Sequence, residues 1–201
     1  MNILEKDVIA NSATTHARDA IALDDSVKPE DAAITYIRGV NDFMLKESGA
    51  FDQTACQAGC SFCCTLRPEV YPGEAVRIVT LLKTLPTGDY NNIVNNLRGN
   101  AIKEGLHPDN YIRAKVKCAF LNKKTNCCQV YNERPILCRD YSSTNMRKCR
   151  KAVGNPSCGV PQSTEAFYTS IQITSSLRNT LIEFGVDPSS KTLHKAVLAL
   201  L

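Results

Sequence analysis

The sequence has no tryptophan, and only three of its 201 residues are histidine. It also lacks an apolar run of the ~18 to 20 residues that are needed to cross a bilayer. The charged residues Glu5, Lys6 and Asp7 come before any apolar stretch long enough for the core of a signal peptide. We therefore expect a soluble cytoplasmic protein that does not enter a membrane.

A strong charge of either sign is also missing, since the formal net charge is only +4. Dedicated nucleic-acid binders are more basic than this, so we do not expect nucleic acid as a partner. The apolar fraction of 43% and the charged fraction of 22% are typical of globular proteins. We predict a flexible N-terminal arm over residues 1–25 and a single domain over residues 26–201.

Helical spacing of apolar residues dominates the chain outside its centre. A first helix is predicted from Pro29 to Gly49, with an apolar stripe of Ile34, Ile37, Val40 and Met44. Two further helices, from Pro72 to Pro86 and from Asp89 to Gly105, are expected to form an antiparallel pair. Two last helices carry the stripes Phe167, Ile171, Leu177, Leu181 and Leu193, Val197, Leu200.

The stretch from Val116 to Gly159 has no helical period of useful length, but it contains six cysteines. The fold class is therefore mostly α: a small helical domain whose irregular, cysteine-rich centre relies on metal for its shape. We place the metal-binding core at residues 56–158.

All ten cysteines lie between Cys56 and Cys158. An even number of cysteines also suits a disulfide framework, but such frameworks belong to secreted and usually shorter chains. In a reducing compartment, closely spaced thiols are typical of metal ligands. We therefore favour metal binding over disulfides.

The first cysteine element is Cys56-Gln-Ala-Gly-Cys60-Ser-Phe-Cys63-Cys64. Two or three residues between thiolates allow the backbone to wrap around one ion, and Gly59 eases the turn. The side chains of Cys63 and Cys64 diverge because the residues are adjacent. We expect them to bind metal at two different sites, or one of them to lie next to the ligands without binding the metal itself.

The second element surrounds Cys118, Cys127, Cys128 and Cys138 with aromatic, proline and arginine residues, and Cys149 and Cys158 follow it. Arg134 and Arg139 are suited to offset the negative charge of several thiolates. Surface pairing of these two arginines with Glu133 and Asp140 is an equal alternative.

The order of these motifs resembles the YkgJ-like cysteine-cluster family, whose zinc- or iron-chelating domains carry a CxxCxxCC motif. The likeness covers roughly residues 56–154: the opening cluster, Cys-x-Phe-Leu, Cys-x-Val-Tyr, Arg-Pro with Cys-Arg, and Cys-x-x-Ala-x-Gly. The resemblance implies eight metal ligands: Cys56, Cys60, Cys63, Cys64, Cys118, Cys128, Cys138 and Cys149. Cys127 and Cys158 are then additions.

One departure from that family is the spacer of three residues, rather than two, after Cys56. It creates Cys-x-x-x-Cys-x-Phe-Cys, which is similar to the cluster motif of radical S-adenosylmethionine enzymes. The 137 residues after Cys64 are predicted to be helical, without the alternating strands and helices of that family's barrel. Flagellin lysine methylases have a similar cysteine cluster but are longer.

Ligand type alone does not separate zinc from an iron–sulfur cluster, because both accept four thiolates. Adjacent cysteines, aromatic residues and nearby arginines favour a 4Fe–4S cluster. The leading hypothesis is an accessory metal-binding protein for storage, delivery or redox sensing, with a protein partner possible. An iron–sulfur enzyme of group or electron transfer and a helical partner-binding module with structural zinc stay open. His16, His107 and His194 are expected at the surface or at helix caps.

Overall fold

The computed structural model describes residues 3–24, 26–52 and 54–201, and within these ranges the chain is mostly helical, as predicted. Nine α-helices lie in the described residues: α1 Ile3–Leu23, α2 Pro29–Glu47, α3 Pro72–Leu82, α4 Thr87–Lys103, α5 Pro108–Arg113, α6 Ile136–Asp140, α7 Met146–Ala152, α8 Thr164–Glu183 and α9 Leu193–Leu198. Short 3-10 turns occur at Phe62–Thr65 and Tyr131–Glu133. None of the helices in this described part has the length and apolar character to span a bilayer.

Two short strands join the middle of the chain to its C-terminal part. Strand β1 (Glu69–Val70) pairs antiparallel with β2 (Lys191–Thr192), with Glu69 opposite Thr192 and Val70 opposite Lys191. The pair sets α9 beside α3, and the backbone N–H of Leu193 also donates to the carbonyl of Pro68.

The predicted N-terminal arm contains helix α1, which packs against α2 and α8. Ala13 and Ala17 are buried in this contact, and the hydroxyls of Thr14 and Thr180 lie 2.6 Å apart. Residues 1, 2 and 25 of the predicted arm lie outside the described residues. The division of the chain at residue 25, and the arm's flexibility, stay predictions.

One apolar core lies between α2 and α8. The predicted stripe on α2 is confirmed, because Ile34, Ile37 and Met44 are buried there and Val40 packs against them. Pro29 occupies the start of the helix, where its missing N–H costs nothing.

The stripe predicted on α8 is wrong in its first half, since Phe167 and Ile171 are about half exposed. Smaller side chains, Ala166 and Thr169, are buried in their place, and Ile173 follows them. Helix α8 lies against both α1 and α2, and small residues allow two helices to approach closely on that face. Leu177 and Leu181 are buried as predicted.

A second apolar core surrounds α9. Leu193 and Val197 of α9 pack with residues of α3 and α4, and with Phe120 and Val130 from the cysteine-rich part of the chain. Helices α3 and α4, which were predicted to form an antiparallel pair, therefore pack mainly against α9 rather than directly against each other.

We refer to residues 54–66 and 116–159 as the cysteine segments. The prediction of an irregular centre holds over most of their length, although α6 and α7 are short helices within it. No hydrophobic residue between Ile136 and Ala166 is fully buried in the structure as described. An apolar core therefore does not hold residues 137–165 in place.

Candidate metal centre

The first cysteine element forms a tight turn followed by a 3-10 turn. The N–H of Cys60 donates to the carbonyl of Gln57 at 3.0 Å, and Gly59 has φ +81°, a left-handed conformation that favours glycine. The 3-10 turn then presents Cys63 and Cys64 side by side. The glycine predicted to ease this turn does so.

One group of thiols gathers around Cys56. The Sγ atom of Cys56 accepts the N–H of Ser143 at 3.4 Å, and Ala55 donates its N–H to the Ser143 carbonyl at 2.7 Å. These bonds tie the first cysteine element to the residues that lead into α7, the helix that carries Cys149. Helix α7 in turn packs against the 3-10 turn of Cys63.

The electrostatics of Cys56 identify the other members of this group. Burial raises the pKa of its thiol most, and the Ser143 N–H lowers it. The remaining charges that raise this pKa are those of Cys60, Cys63 and Cys149. The first thiol group therefore consists of four of the eight predicted ligands: Cys56, Cys60, Cys63 and Cys149.

A second group gathers around Cys118. Its N–H donates to the carbonyl of Cys64 at 2.7 Å, which ties the two cysteine segments together. A bridge between Leu121 and Cys128 folds the chain back, so that Cys128 returns beside the Cys118 turn. Cys118 and Cys128 both pack against the apolar core around α9.

Cys138 at helix α6 completes the second group. Burial is the main cause that raises the pKa of Cys118 and of Cys138, and the charges of the neighbouring thiols raise it further. The charges of Cys63 and Cys128 raise the pKa of both thiols, and the charge of Cys138 also raises the pKa of Cys118. The second group is therefore Cys118, Cys128 and Cys138, with Cys64 tied to it through the backbone.

Cys63 lies between the two groups. A hydrogen bond with Cys64 raises the pKa of Cys63 most, followed by burial and by the charge of Cys64, while Arg134 lowers it. Cys63 also keeps an exposed surface, although many protein atoms surround its thiol. All eight predicted ligands thus lie in one region, divided at the Cys63–Cys64 dipeptide.

The donor chemistry of this region fits a thiophilic metal. All ten cysteines are free thiols rather than disulfides. Among the described residues, no three Cys, His, Asp or Glu side chains already stand in a geometry that would hold a metal ion. The raised pKa values of five of these thiols (Cys56, Cys63, Cys118, Cys128 and Cys138) favour their protonated form, and a bound metal would displace those protons. The eight cysteines would hold it, and the thiols would have to converge as it binds.

Arg134 is the cation closest to the second group. Its guanidinium lies 4.0 Å from the centroid of the Tyr131 ring, and its charge lowers the pKa values of Cys63, Cys128 and Cys138 against the effect of burial. The Nε atom of Arg134 is buried and has no hydrogen-bond partner in the described residues. This placement favours the thiolate role that the sequence suggested for this arginine.

Arg139 has other partners. Its Nη1 atom donates to both carboxylate oxygens of Asp42, at 3.0 and 3.1 Å, and its Nε atom donates to the carbonyl of Arg134. The alternative pairing with Asp140 is therefore wrong. Glu133 likewise pairs with Arg38 and Arg77 rather than with Arg134.

Buried carboxylates that sequence reasoning missed hold the segment with Arg134 and Cys138 in place. Glu74 on α3 accepts the N–H of Ile136 at 2.7 Å and that of Tyr71 at 2.9 Å. Burial raises the pKa of Glu74, and these N–H groups lower it. Asn41 donates to Asp140 at 2.8 Å, and burial raises the pKa of this carboxyl to about 7. The glutamate at the third position of α3 was the available sequence signal for a cap, but its reach to α6 was not visible.

His194 corrects the prediction of surface histidines, because it is fully buried. Its Nδ1 atom lies 2.8 Å from a carboxylate oxygen of Glu104, and its Nε2 atom accepts the N–H of Ala119 at 3.2 Å. Burial raises the pKa of Glu104, but the contacts of its carboxylate with the Nδ1 atom and the backbone N–H of His194 outweigh it and leave this pKa low. The pair anchors the residue that follows Cys118.

The two cysteines that were predicted to lie outside the ligand set are at the edges of the region. Cys127 is exposed, with its Sγ atom 3.5 Å from the carbonyl of Thr125. Cys158 is half-buried, and its Sγ atom lies 3.9 Å from the carbonyl of Lys148. A cavity of about 140 Å³ beside Cys158 is also lined by Cys63 and Cys149.

Comparison with known proteins supports a chelating role for this region. One protein family matches residues 55–159, and its description reads "CxxCxxCC: Putative zinc- or iron-chelating domain". No curated protein and no solved structure matches the chain. The family match covers just over half of the 201 residues and includes all ten cysteines. The chain therefore belongs to the CxxCxxCC family of zinc- or iron-chelating domains.

Proposed function

We propose that this protein is an iron–sulfur accessory protein, which holds two four-iron clusters on its eight family-matched cysteines and passes them, or their electrons, to a partner. The division of the thiols into two groups at Cys63 and Cys64 carries this proposal. Each cluster then receives four thiolates: Cys56, Cys60 and Cys149 for one and Cys118, Cys128 and Cys138 for the other, with one of Cys63 and Cys64 completing each set.

The spacing of the thiols supports a cluster rather than a single zinc ion. Four thiolates at ~2.3 Å from one zinc ion are ~3.8 Å from each other. The thiols here act on one another electrostatically, yet no three of them in the described residues already stand in a geometry that holds a single ion. A cluster of four irons is larger than one ion and accepts thiolates that are farther apart.

Exposure of the first group supports exchange with another molecule. Two of its four cysteines, Cys56 and Cys63, are exposed and the other two are half-buried, whereas all the cysteines of the second group are half-buried. A cluster on the first group would lie at the surface, where a partner can reach it. The second cluster would lie deeper, against the apolar core.

A methylase-like enzyme has less support. The cavity beside Cys63 and Cys149 has a volume of about 140 Å³, well below the ~300 to 1,000 Å³ of pockets that enclose cofactor-sized ligands. The described sheet has only two strands, so it does not provide the barrel of radical S-adenosylmethionine enzymes.

Anaerobic purification tests the proposal. We expect a brown protein with about eight irons and eight sulfides per chain, and a visible spectrum that bleaches on reduction. Cys60→Ser and Cys138→Ser should each lose about half of the iron, whereas Cys127→Ser should lose none. A colourless protein with stoichiometric zinc would overturn the cluster proposal. A spectral change on adding S-adenosylmethionine would favour the enzyme instead.

A further inference from the structure

The charges of the chain are distributed unevenly with respect to the cysteines. Residues 53–68, 110–132 and 141–164 contain nine of the ten cysteines and not one of the 20 acidic residues. They contain ten of the 24 lysines and arginines, so these stretches carry +10 and the rest of the chain carries −6, which together give the net charge of +4.

Nine of these ten cations have exposed side chains: Arg113, Lys115, Lys117, Lys123, Lys124, Arg147, Lys148, Arg150 and Lys151. None of the nine forms a salt bridge in the part of the chain that the structure describes. Arg67, the tenth, donates to the backbone carbonyls of Glu104 and Leu106. The name basic rim is used below for the nine exposed residues.

Contacts place part of the basic rim beside the first cysteine element and helix α7. Arg150 on α7 lies 5.8 Å from the ring centroid of Phe62, the residue before Cys63. The loop that carries Lys123 and Lys124 reaches the same element from another side, where Asn126 and Ser61 are in hydrogen-bond distance. The stem of Lys115 covers Gly154, at the end of α7.

The basic rim outweighs the charge of a loaded site. Four thiolates with one zinc ion or one four-iron cluster carry about −2, so two such centres leave these stretches at about +6. A positive field of this size repels a free divalent cation and attracts an anionic molecule. The rim therefore favours delivery or removal of the metal in an anionic carrier.

We propose that the basic rim is a docking surface for an acidic protein that exchanges metal centres with this one. The proposal rests on the proposed accessory function. A protein fits better than a nucleic acid, because the cations are confined to the stretches that carry the cysteines and the rest of the chain, at −6, would repel a long polyanion. Electrostatic docking of this kind speeds association, and salt weakens it.

Two variants with the same net charge test the rim. The rim variant carries Lys123→Glu, Lys124→Glu, Arg147→Glu and Lys151→Glu. The control variant carries Lys46→Glu, Lys83→Glu, Arg98→Glu and Lys103→Glu, which are exposed cations outside the acid-free stretches. Both have a formal charge of −4, since each replaces four of the positive residues of a chain at +4 by negative ones.

Anaerobically loaded protein is titrated into a fluorescein-labelled oligoglutamate peptide, with a short DNA duplex as the second probe. We expect wild type to bind the peptide with an affinity that falls as salt is added, the rim variant to bind at least about tenfold more weakly, and the control variant to stay within about twofold of wild type. Equal losses in both variants, or no binding by wild type, would overturn the proposal. Tighter binding of the duplex than of the peptide would also overturn it, in favour of nucleic acid.

Metal content separates this proposal from the proposed function. Both variants should load as much metal as wild type, with the same circular dichroism spectrum. If wild type loads no metal at all, the accessory function fails whatever the peptide titration gives. If all three proteins load metal and only the binding result differs from expectation, the docking surface alone is wrong.

Discussion

The helical frame, made of α1, α2, α3, α4, α8 and α9, and the cysteine segments are held by different interactions. The frame buries most of the apolar side chains of the molecule in the core between α2 and α8 and in the core around α9. The cysteine segments contribute Phe120, Val130 and Ile136 to these cores, and polar contacts, such as Glu74 to the N–H of Ile136 and His194 to the N–H of Ala119, attach them further. The frame is thus stabilised mainly by area buried from water, whereas the cysteine segments combine a smaller apolar contact with directed bonds and, as we propose, with metal.

Removal of the metal should produce the largest difference between the helical frame and the cysteine segments. Binding energies of structural zinc sites are about 10 to 16 kcal/mol, so we expect a chelator to release the cysteine segments while the frame stays folded. Hydrogen exchange should show lost protection in residues 141–159 and retained protection in α2 and α8. Circular dichroism should keep most of its helical signal. Unchanged exchange after complete metal removal would show that the segments do not depend on metal.

Leu177→Ala should destabilise the helical frame and leave metal binding by the thiols unchanged. Leu177 is 1% exposed in the core between α2 and α8, so its truncation should cost about 2 to 5 kcal/mol in the free energy of unfolding. Urea unfolding measures this loss. Ile182→Ala on the same helix is the matched control, because that side chain is 54% exposed. Metal content per folded chain should be equal in all three proteins, and a drop in the Leu177 variant would contradict the separation of the two regions.

Glu74→Ala cuts a bond between the regions. It leaves the N–H groups of Ile136 and Tyr71 without their carboxylate partner, at a cost of about 1 to 3 kcal/mol. Unlike Leu177→Ala, it should also weaken metal retention, because the helix that begins at Ile136 carries Cys138. Competition with a chelator measures retention. Glu47→Ala, at an exposed position of α2, should leave both quantities at their wild-type values.

Acid should weaken the anchor of α9 on the cysteine segment. Burial raises the pKa of Glu104, but the contacts of its carboxylate with the Nδ1 atom and the backbone N–H of His194 bring the folded pKa below the unfolded value. Its contribution to stability is therefore complete above the unfolded pKa of about 4.3 and is lost as the pH falls through the lower folded value. Urea unfolding at a series of pH values should show a smaller acid-dependent loss for Glu104→Gln than for wild type. Parallel pH curves for the two proteins would exclude this role.

Gly154→Ala makes the smallest change, within a cysteine segment alone. Gly154 has φ +79° and lies under the side chain of Lys115, so alanine should cost about 1 kcal/mol. Gly159→Ala is the control, because no positive φ and no close atom restrict that position. Thermal unfolding of the loaded proteins compares them. Equal melting temperatures for both variants would show that this turn is free to adjust.

The two regions also differ in how far the sequence predicted them. Helix α2 could be predicted because a proline opens it and its apolar stripe has one period, both of which are local properties. The buried face in the first half of α8 could not be predicted, since the choice of Ala166 over Phe167 for burial depends on how closely α1 and α2 approach. The eight thiols followed from spacing and resemblance. Glu74, Glu104 and His194 did not, because each acts on a residue more than 60 positions away in the chain.

The Cys63–Cys64 dipeptide has a consequence for the order in which the thiol groups fill. Consecutive residues share one peptide plane, so fixing the Cys63 side chain on one cluster also fixes the backbone from which Cys64 projects. The entropy of ordering the 3-10 turn is then lost only once, and the second cluster binds at a smaller cost. Loading should therefore be cooperative. In native mass spectra of partly loaded samples, empty and fully loaded chains should outnumber chains that carry a single cluster.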